Sequence, residues 1–344
     1  MKKKILIIFG GNSTEYKVSL QSAYSILTNI DTKKFEPISI GITESGQWYL
    51  YKGDYENILN DKWINDYDNL IKVILVPKKD CQCKLLVLNS NPLSFDIAFP
   101  VIHGKNGEDG TIQGLFEIYK IPYIGCNVIS SALCMDKYIS HAVVKNFSIK
   151  IPKGFKVTKN YNFSDILNKS RKLNYPQYIK PINGGSSIGI SKINNETKLE
   201  KALNEAFKYD NEIIVEENIE GTEVGCSIIG KENLITGVID EINSSGHFFN
   251  YDEKYSDSDV IIHTPAKFSK ELHEEIKETA LKIYKALKCS GFARVDMFLT
   301  PSNEIIFNEV NTIPGLTPNS RFPRMMKFNG ISFKELITKI IEVN

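Results

Sequence analysis

Phe292-Ala-Arg-Val-Asp-Met-Phe298, the turn Thr300-Pro-Ser-Asn-Glu304 and Ile305-Ile-Phe-Asn-Glu-Val-Asn311 read as two strands joined by a tight connection. Side chains alternate between the faces of a strand, so Glu309 and Asn311 share a face, and a hairpin centred between Ser302 and Asn303 sets Asp296 opposite Glu309. Two carboxylates and an amide oxygen then converge with no thiolate or imidazole in the stretch. That donor set suits Mg²⁺, a hard cation that keeps some waters and bridges phosphates. A solvated strand face would carry the same residue types. The alternation also places Ile305 and Phe307 on the face of the carboxylates, where acids among apolar neighbours need a partner, and this favours the metal site.

Outward from the hairpin, 344 residues are enough for two or three domains, each with a core. With 42 basic and 41 acidic side chains the net charge is +1, so no global field recruits nucleic acid or an anionic membrane. The apolar run behind the basic start is only Ile5 to Phe9, too short for a secretion signal, and it reads as a buried first strand. No stretch approaches the roughly 18 apolar residues of a membrane span, so a soluble protein is expected. The six cysteines are scattered without a Cys-x-x-Cys pair, as suits a reducing cytoplasm. Cys81 and Cys83, in the basic segment from Pro77 to Lys84, read as partly exposed loop residues.

The first third reads as β-α-β: a strand Ile5 to Phe9, a helix near Val18 to Leu27, and a strand Pro37 to Ile42. This begins an open parallel sheet. Tyr51 to Asn69 carries little pattern, and Asp96 to Val101 gives a short strand before His103-Gly-Lys-Asn-Gly-Glu-Asp-Gly110. A boundary near Gly125 precedes one helix, Ser130 to Asn146, then a strand Tyr178 to Lys180 and a helix Lys198 to Tyr209. A second boundary falls near Val215. Strands Val224 to Ile229 and Leu234 to Glu241, a loop Ser244 to Val260, a helix Glu271 to Leu287, the hairpin and a helix Phe333 to Ile341 complete the chain. The expected units are residues 1–125, 126–215 and 216–344.

Gly184-Gly185-Ser186-Ser187 lies in a loop between strands, where backbone amides unobstructed by side chains can approach phosphate oxygens. A plain flexible turn looks the same. The spacing is not that of a P-loop, and Gly10-Gly11 lacks the full dinucleotide-binding pattern. Lys180 enters the Gly-rich loop and Lys137 follows Asp136 at a helix start, both placed to neutralise phosphates, although single lysines are more often surface residues. Glu216 could read an adenine edge and Glu223 ribose hydroxyls; in isolation they read as an acidic strand end.

Taken in order, Glu15, His103 with its Gly-rich tail, Met135-Asp-Lys137, Lys180-Pro, Gly185-Ser-Ser-Ile-Gly189, Glu253-Lys-Tyr255, Arg294-Val-Asp296 and Asn308-Glu-Val-Asn-Thr-Ile-Pro-Gly315 resemble the D-alanine-D-alanine ligase family of ATP-grasp enzymes. The resemblance spans nearly the whole chain. Glu15-Tyr-Lys-Val-Ser-Leu-Gln-Ser-Ala23, Gly41-Ile-Thr, Ser131-Ala-Leu-Cys-Met-Asp-Lys137 and Thr312-Ile-Pro-Gly315 look most like the VanG-type D-alanine-D-serine ligases. It implies an α/β and α+β fold: an ATP-grasp architecture behind an N-terminal open parallel-sheet domain.

The same resemblance implies that ATP phosphorylates a first D-alanine and that the amine of a second D-amino acid, D-serine or D-alanine, attacks the acyl phosphate to give a dipeptide for peptidoglycan. Asp296, Glu309 and Asn311 would hold two Mg²⁺, or Mn²⁺; Lys137, Lys180, Ser187 and Lys254 would meet phosphates; Glu216, Ile219 and Glu223 would contact adenine and ribose. Arg294 and the Gly315 amide would stabilise the reacting groups. Glu15, Ser186 and Tyr255 would form a hydrogen-bonded triad that closes the loop 244–260 over the nucleotide. His103 would lie near the first substrate and Ser320 near the second substrate's carboxylate. Arg321, at a position often apolar in D-alanine-specific members, could order a polar second substrate or merely pair with a nearby acid. Tyr255, where D-lactate-using relatives resemble a histidine site, argues against depsipeptide formation. Asn183 and Gly184 stand where many members carry arginine and glutamate, which implies a more mobile phosphate loop. Such ligases are typically cytoplasmic homodimers. A housekeeping D-alanine-D-alanine ligase is the alternative within the family, and a nucleotide-binding regulator without turnover the alternative outside it.

Overall fold

The computed structural model describes residues 2–79, 82–243 and 261–343. Strand β1 (Lys3–Gly10) leads through helix α1 (Tyr16–Asn29) to β2 (Phe35–Ile42), β3 (Trp48–Tyr51), the short helix α2 (Tyr55–Leu59), β4 (Leu70–Lys79), β5 (Gln82–Val87), β6 (Leu93–Phe95), β7 (Ile97–Pro100) and α3 (Thr111–Tyr119). These strands form one sheet in the order β6-β5-β4-β3-β2-β1-β7. Only β2, β1 and β7 run parallel; β3 to β6 extend the sheet antiparallel. β1 lies between β2 and β7 and is covered on both faces, so its apolar run is continuous: Ile5, Ile7 and Phe9 enter one core, Leu6 and Ile8 the other.

The antiparallel extension was not expected. Val73, Leu75, Leu85 and Val87 are buried while their neighbours Ile74 and Leu86 are exposed, so both faces of β4 and β5 carry apolar residues and the alternation that announces a strand is blurred. Cys83, expected as a partly exposed loop residue, is buried on β5 opposite Phe95. Cys81 lies outside the described residues.

The expected helix Ser130 to Asn146 is two helices, α4 (Val128–Met135) and α5 (Lys137–Lys145). Asp136 breaks the run by adopting extended backbone and capping α5, its carboxylate accepting from the Ile139 N–H at 2.8 Å. Strands β8 (Gly154–Thr158), β9 (Gln177–Pro181), β10 (Ser191–Ile193) and β11 (Glu212–Glu217) make a second sheet, ordered β10-β9-β11-β8, with helices α6 (Phe163–Arg171) and α7 (Leu199–Ala206) on their own small core.

The third sheet, β14-β13-β12-β15-β16, joins β12 (Thr222–Ile229), β13 (Ile235–Asn243), β14 (Ile261–His263), β15 (Phe292–Leu299) and β16 (Ile305–Asn311) and packs against helix α8 (Lys270–Ala286). Helices α9 (Arg321–Phe328) and α10 (Phe333–Glu342) follow. Leu336, Ile337, Ile340 and Ile341 of α10 return to the first sheet and share a core with Ile5, Ile7 and Phe9. The scattered cysteines also regroup: Cys134 and Cys289 Sγ atoms lie 3.7 Å apart, with buried Cys126 beside the same strand entry. No helix among the described residues is long and apolar enough to cross a membrane.

Candidate active site

A cavity of about 770 Å³ lies where the three sheets meet. Its floor is the β15–β16 hairpin. Asp296 pairs with Glu309, as the sequence implied, but through a β-bulge: Met297 already faces Phe307, leaving Asn308 as the extra residue. The bulge reverses the alternation. Ile305 and Phe307, expected beside the carboxylates, point instead into the core under α8, while Asp296, Glu309 and Asn311 line the cavity. The carboxylates therefore do not sit among those apolar side chains, and their partners are polar.

Asp296 is held hard. Arg294 Nε lies 2.8 Å from one carboxylate oxygen and its Nη2 2.6 Å from the other, Asn311 Nδ2 donates at 2.9 Å, and Arg321 Nη1 stands 3.6 Å away. Arg321, at the start of α9, also donates to buried Asp240 from Nε and Nη2, at 2.8 and 2.9 Å, and to Glu223 at 2.6 Å. Burial resists ionisation of Asp240, yet the Arg321 guanidinium holds its carboxyl below the usual range. Gly225 makes this possible, because a Cβ there would lie 2.6 Å from both Arg321 Nη2 and Asp240 Oδ1. Glu223 is thus drawn to Arg321, and Arg321 has the acidic partners that its plainer reading foresaw.

The break at Asp136 sets Lys137 on the first turn of α5, where the helix dipole disfavours a cation. Its ammonium instead reaches across the cavity to Glu309 Oε2 at 3.3 Å and the Gly184 carbonyl at 2.5 Å. Lys180, leaving β9, pairs with Glu216 at 2.7 Å. Glu216 is fully buried; burial opposes its ionisation, but Lys180, and then His141 at 3.2 Å, hold the carboxyl well below the ordinary range. Ile219 and Glu223 continue this wall.

Over the floor hangs the Gly-rich loop. Ser186 and Ser187 adopt left-handed backbone, and the Ser186 hydroxyl donates to Glu15. A Cβ on Gly185 would lie 2.6 Å from Glu15 Oε2, so glycine lets the loop approach that carboxylate. Asn183 binds Asp210 through its backbone N–H at 2.8 Å and its amide at 3.1 Å. Of the expected triad, Glu15 and Ser186 touch; Tyr255, like Lys254, lies outside the described residues.

His103 is buried against Ser22, 3.0 Å from its hydroxyl, and burial pushes its imidazole down to about 4. The Ser22 hydroxyl accepts from the Leu316 N–H at 3.2 Å, which joins His103 to the loop carrying Gly315. A Cβ on Gly315 would meet the Ser320 hydroxyl at 2.9 Å, so the two expected contacts of the reacting carboxyl and the second substrate adjoin.

Three residues of the site escaped the sequence reading. Glu108 accepts from the Gly104 and Ile313 N–H groups, each at 2.8 Å, and burial followed by the charge of Glu15 pushes its carboxyl up to about 8. It lies inside the quoted Gly-Glu-Asp-Gly stretch. Asp240 interrupts an apolar strand, and His141 lies one helical turn beyond Lys137; both were signals. Among the described residues no three His, Cys, Asp or Glu side chains converge tightly enough to hold a metal by themselves. The oxygen donors of Asp296, Glu309 and Asn311 still fit a hard cation, with phosphate oxygens and water completing its shell.

A cation-lined, carboxylate-floored cavity under a Gly-rich loop defines an enzyme that handles nucleotide phosphates. Models of the N-terminal and C-terminal parts of D-ala D-ala ligase match residues 4–126 and 143–342, and the chain belongs to that family. A D-alanine-D-alanine ligase of Caldicellulosiruptor bescii is 40% identical, with 99% of this chain and 95% of that protein covered. The vancomycin C-type resistance protein VanC1 of Enterococcus gallinarum is 38% identical over 98% of this chain and 97% of its own length. The crystal structure of the VanG D-Ala:D-Ser ligase from Enterococcus faecalis superposes with a TM-score of 0.92 and 49% identity, covering 100% of this chain and 99% of that one. The fold is accordingly ATP-grasp. The protein is an ATP-dependent ligase that uses D-alanine and a second D-amino acid, with a divalent metal.

Proposed function

We propose that the second substrate is D-serine and that the product is D-alanyl-D-serine for peptidoglycan. The observation that carries this is Arg321: the carboxylate of Asp240 fixes its guanidinium in a two-point grip beside Ser320, in a wall where an apolar residue would suit D-alanine. The likeness to a D-Ala:D-Ser ligase along the whole chain supports the reading.

In this mechanism Glu15 receives the ammonium of the first D-alanine and His103, neutral at working pH, packs near it. The carboxylate of that D-alanine attacks the terminal phosphorus of ATP, ADP leaves, and D-alanyl phosphate forms. The amine of D-serine then attacks the acyl carbon, loses a proton, and phosphate departs. Arg294 and the Gly315 amide stabilise the transferring phosphoryl group and the tetrahedral oxyanion. Lys137, Lys180 and Ser187 meet phosphates, Glu216 and Ile219 adenine, Glu223 ribose, and Ser320 the second carboxylate. Asp296, Glu309 and Asn311 would hold two Mg²⁺, or Mn²⁺, whose charge neutralises phosphate oxygens. Lys254 would meet phosphate and Tyr255 would join Glu15 and Ser186; both lie outside the described residues. The units 1–125, 126–215 and 216–344, a homodimer and a cytoplasmic location belong to the same proposal.

One observation favours D-alanine instead: Arg321 already satisfies Glu223, Asp240 and Asp296. Purified protein with ATP, Mg²⁺, D-alanine and an equal concentration of D-serine decides between them by product mass. Predominant D-Ala-D-Ser, lost in Arg321→Leu, supports the proposal. Predominant D-Ala-D-Ala makes this a housekeeping ligase, and no dipeptide from nucleotide-binding protein points to a regulator.

A further inference from the structure

The mechanism above gives His141 no role, yet it is buried behind Glu216 and touches two strands. Its Nε2 lies 2.8 Å from the backbone carbonyl of Asn308, the bulge residue of β16, and its Nδ1 3.2 Å from Glu216 Oε1 on β11. The Phe307 ring meets its edge at 5.3 Å. A carbonyl only accepts, so Nε2 carries a proton. Glu216, paired with Lys180, also only accepts, so a proton on Nδ1 as well would give both ring nitrogens an acceptor to face.

Glu216 therefore faces two basic side chains, Lys180 and His141, and one carboxylate does not need both. Lys180 lines the cavity at the root of the Gly-rich loop, within reach of a nucleotide. A lysine that leaves a buried carboxylate for a phosphate strands that carboxylate, which is strongly unfavourable unless another cation remains. An adenine amino group can donate a hydrogen bond to Glu216 but brings no positive charge. We propose that His141 is a positioning residue for nucleotide binding: it stays with Glu216 as the fixed counter-charge and so releases Lys180 to the phosphates. Its second bond, to Asn308, ties that counter-charge to the bulge that brings Glu309 opposite Asp296. Besides Glu216, the charged groups around it are Lys180 on β9, Lys137 one turn earlier on α5, and Glu309 beside Asn308.

This inference rests on the assignment of Lys180 to phosphate, and the experiment separates the two. The full-length protein is titrated with the non-hydrolysable ATP analogue adenylyl imidodiphosphate and Mg²⁺. Lys180→Met tests the assignment alone, and unchanged affinity would remove it. His141→Asn, which keeps a donor but no charge, should weaken analogue binding about tenfold or more and raise KM for ATP, with KM for D-alanine little altered. His141→Arg, which restores charge and both donors, should recover most of the loss. Equal losses in the Asn and Arg variants would mean a packing role and overturn the proposal, as would a His141→Asn protein that binds like the unaltered one. Should either variant misfold, ¹⁵N resonances of the ring in the unaltered protein with the analogue bound at pH 7.5 decide: two protonated nitrogens are expected, and a neutral tautomer would overturn it.

Discussion

The floor and the roof of the cavity are built in opposite ways. The floor is a hairpin inside a five-stranded sheet, with Asp296 gripped by Arg294, Arg321 and Asn311, and Asp240 bracing Arg321 from behind. The roof is a loop with two non-glycine residues in left-handed backbone, tied down by Ser186 to Glu15, Asn183 to Asp210 and Lys137 to the Gly184 carbonyl. Charge that must not move is placed on buried strands with several partners. Groups that must rearrange around a substrate are held by polar contacts at the cavity surface that water or phosphate can replace.

Breaking the floor should cost most. Glu309→Gln should lower kcat for dipeptide formation on the order of 10³-fold while circular dichroism stays unchanged, as for loss of a preorganised electrostatic contact. Unaltered turnover would remove Glu309 from the metal set. Asp240→Ala should destabilise the protein by roughly 3 to 5 kcal/mol in urea unfolding, because Arg321 loses its two-point partner in a buried place. A loss below about 1 kcal/mol would show that Glu223 and Asp296 suffice for Arg321.

Breaking the roof should leave stability alone. Ser186→Ala deletes the hydrogen bond to Glu15 and should slow turnover roughly ten- to a hundredfold, about 1.5 to 3 kcal/mol in the barrier, with little change in Tm. A fall in Tm without a kinetic effect would make Ser186 part of the scaffold.

A different kind of effect lies where roof and floor meet, at Glu108, and it appears as a slope with pH. Its carboxyl is pushed up to about 8 in the folded protein, above the ordinary value of 4.5, so the folded state holds a proton that the unfolded chain releases. The stabilisation is complete below pH 4.5 and is lost as pH rises toward 8. Urea titrations from pH 5 to 8 should show stability falling, and Glu108→Gln should flatten that part of the slope. An unchanged slope would assign it to other groups.

Legibility followed the same division. Residues set in a recognisable local pattern announced themselves: the hairpin acids, the Gly-rich loop, Lys137 at a helix start. Their register came out right, although the bulge at Asn308 turned Ile305 and Phe307 to the other side, because nothing in Phe-Asn-Glu marks an extra residue. The ion networks were opaque since their members come from separate elements: Glu223 from β12, Asp240 from β13 and Arg321 from α9; Glu216 from β11 and His141 from α5. The outer strands β4 and β5 were hidden by apolar residues on both faces, and the break in the α4–α5 run by an aspartate that reads equally well as a surface residue.

Helix α10 has a consequence during synthesis. It packs on α1 and completes the core that α1 forms with β1, and Lys34 meets Glu342 across 308 residues. At about 5 to 20 residues per second, roughly 12 to 50 s of synthesis separate the end of the first sheet from the end of this helix. Through that interval the core of Ile5, Ile7 and Phe9 is packed against α1 and Trp63 but lacks Leu336, Ile337, Ile340 and Ile341, which complete it. A nonsense mutation before Phe333 would therefore leave a complete set of chemical groups on a protein whose first core stays open at one side.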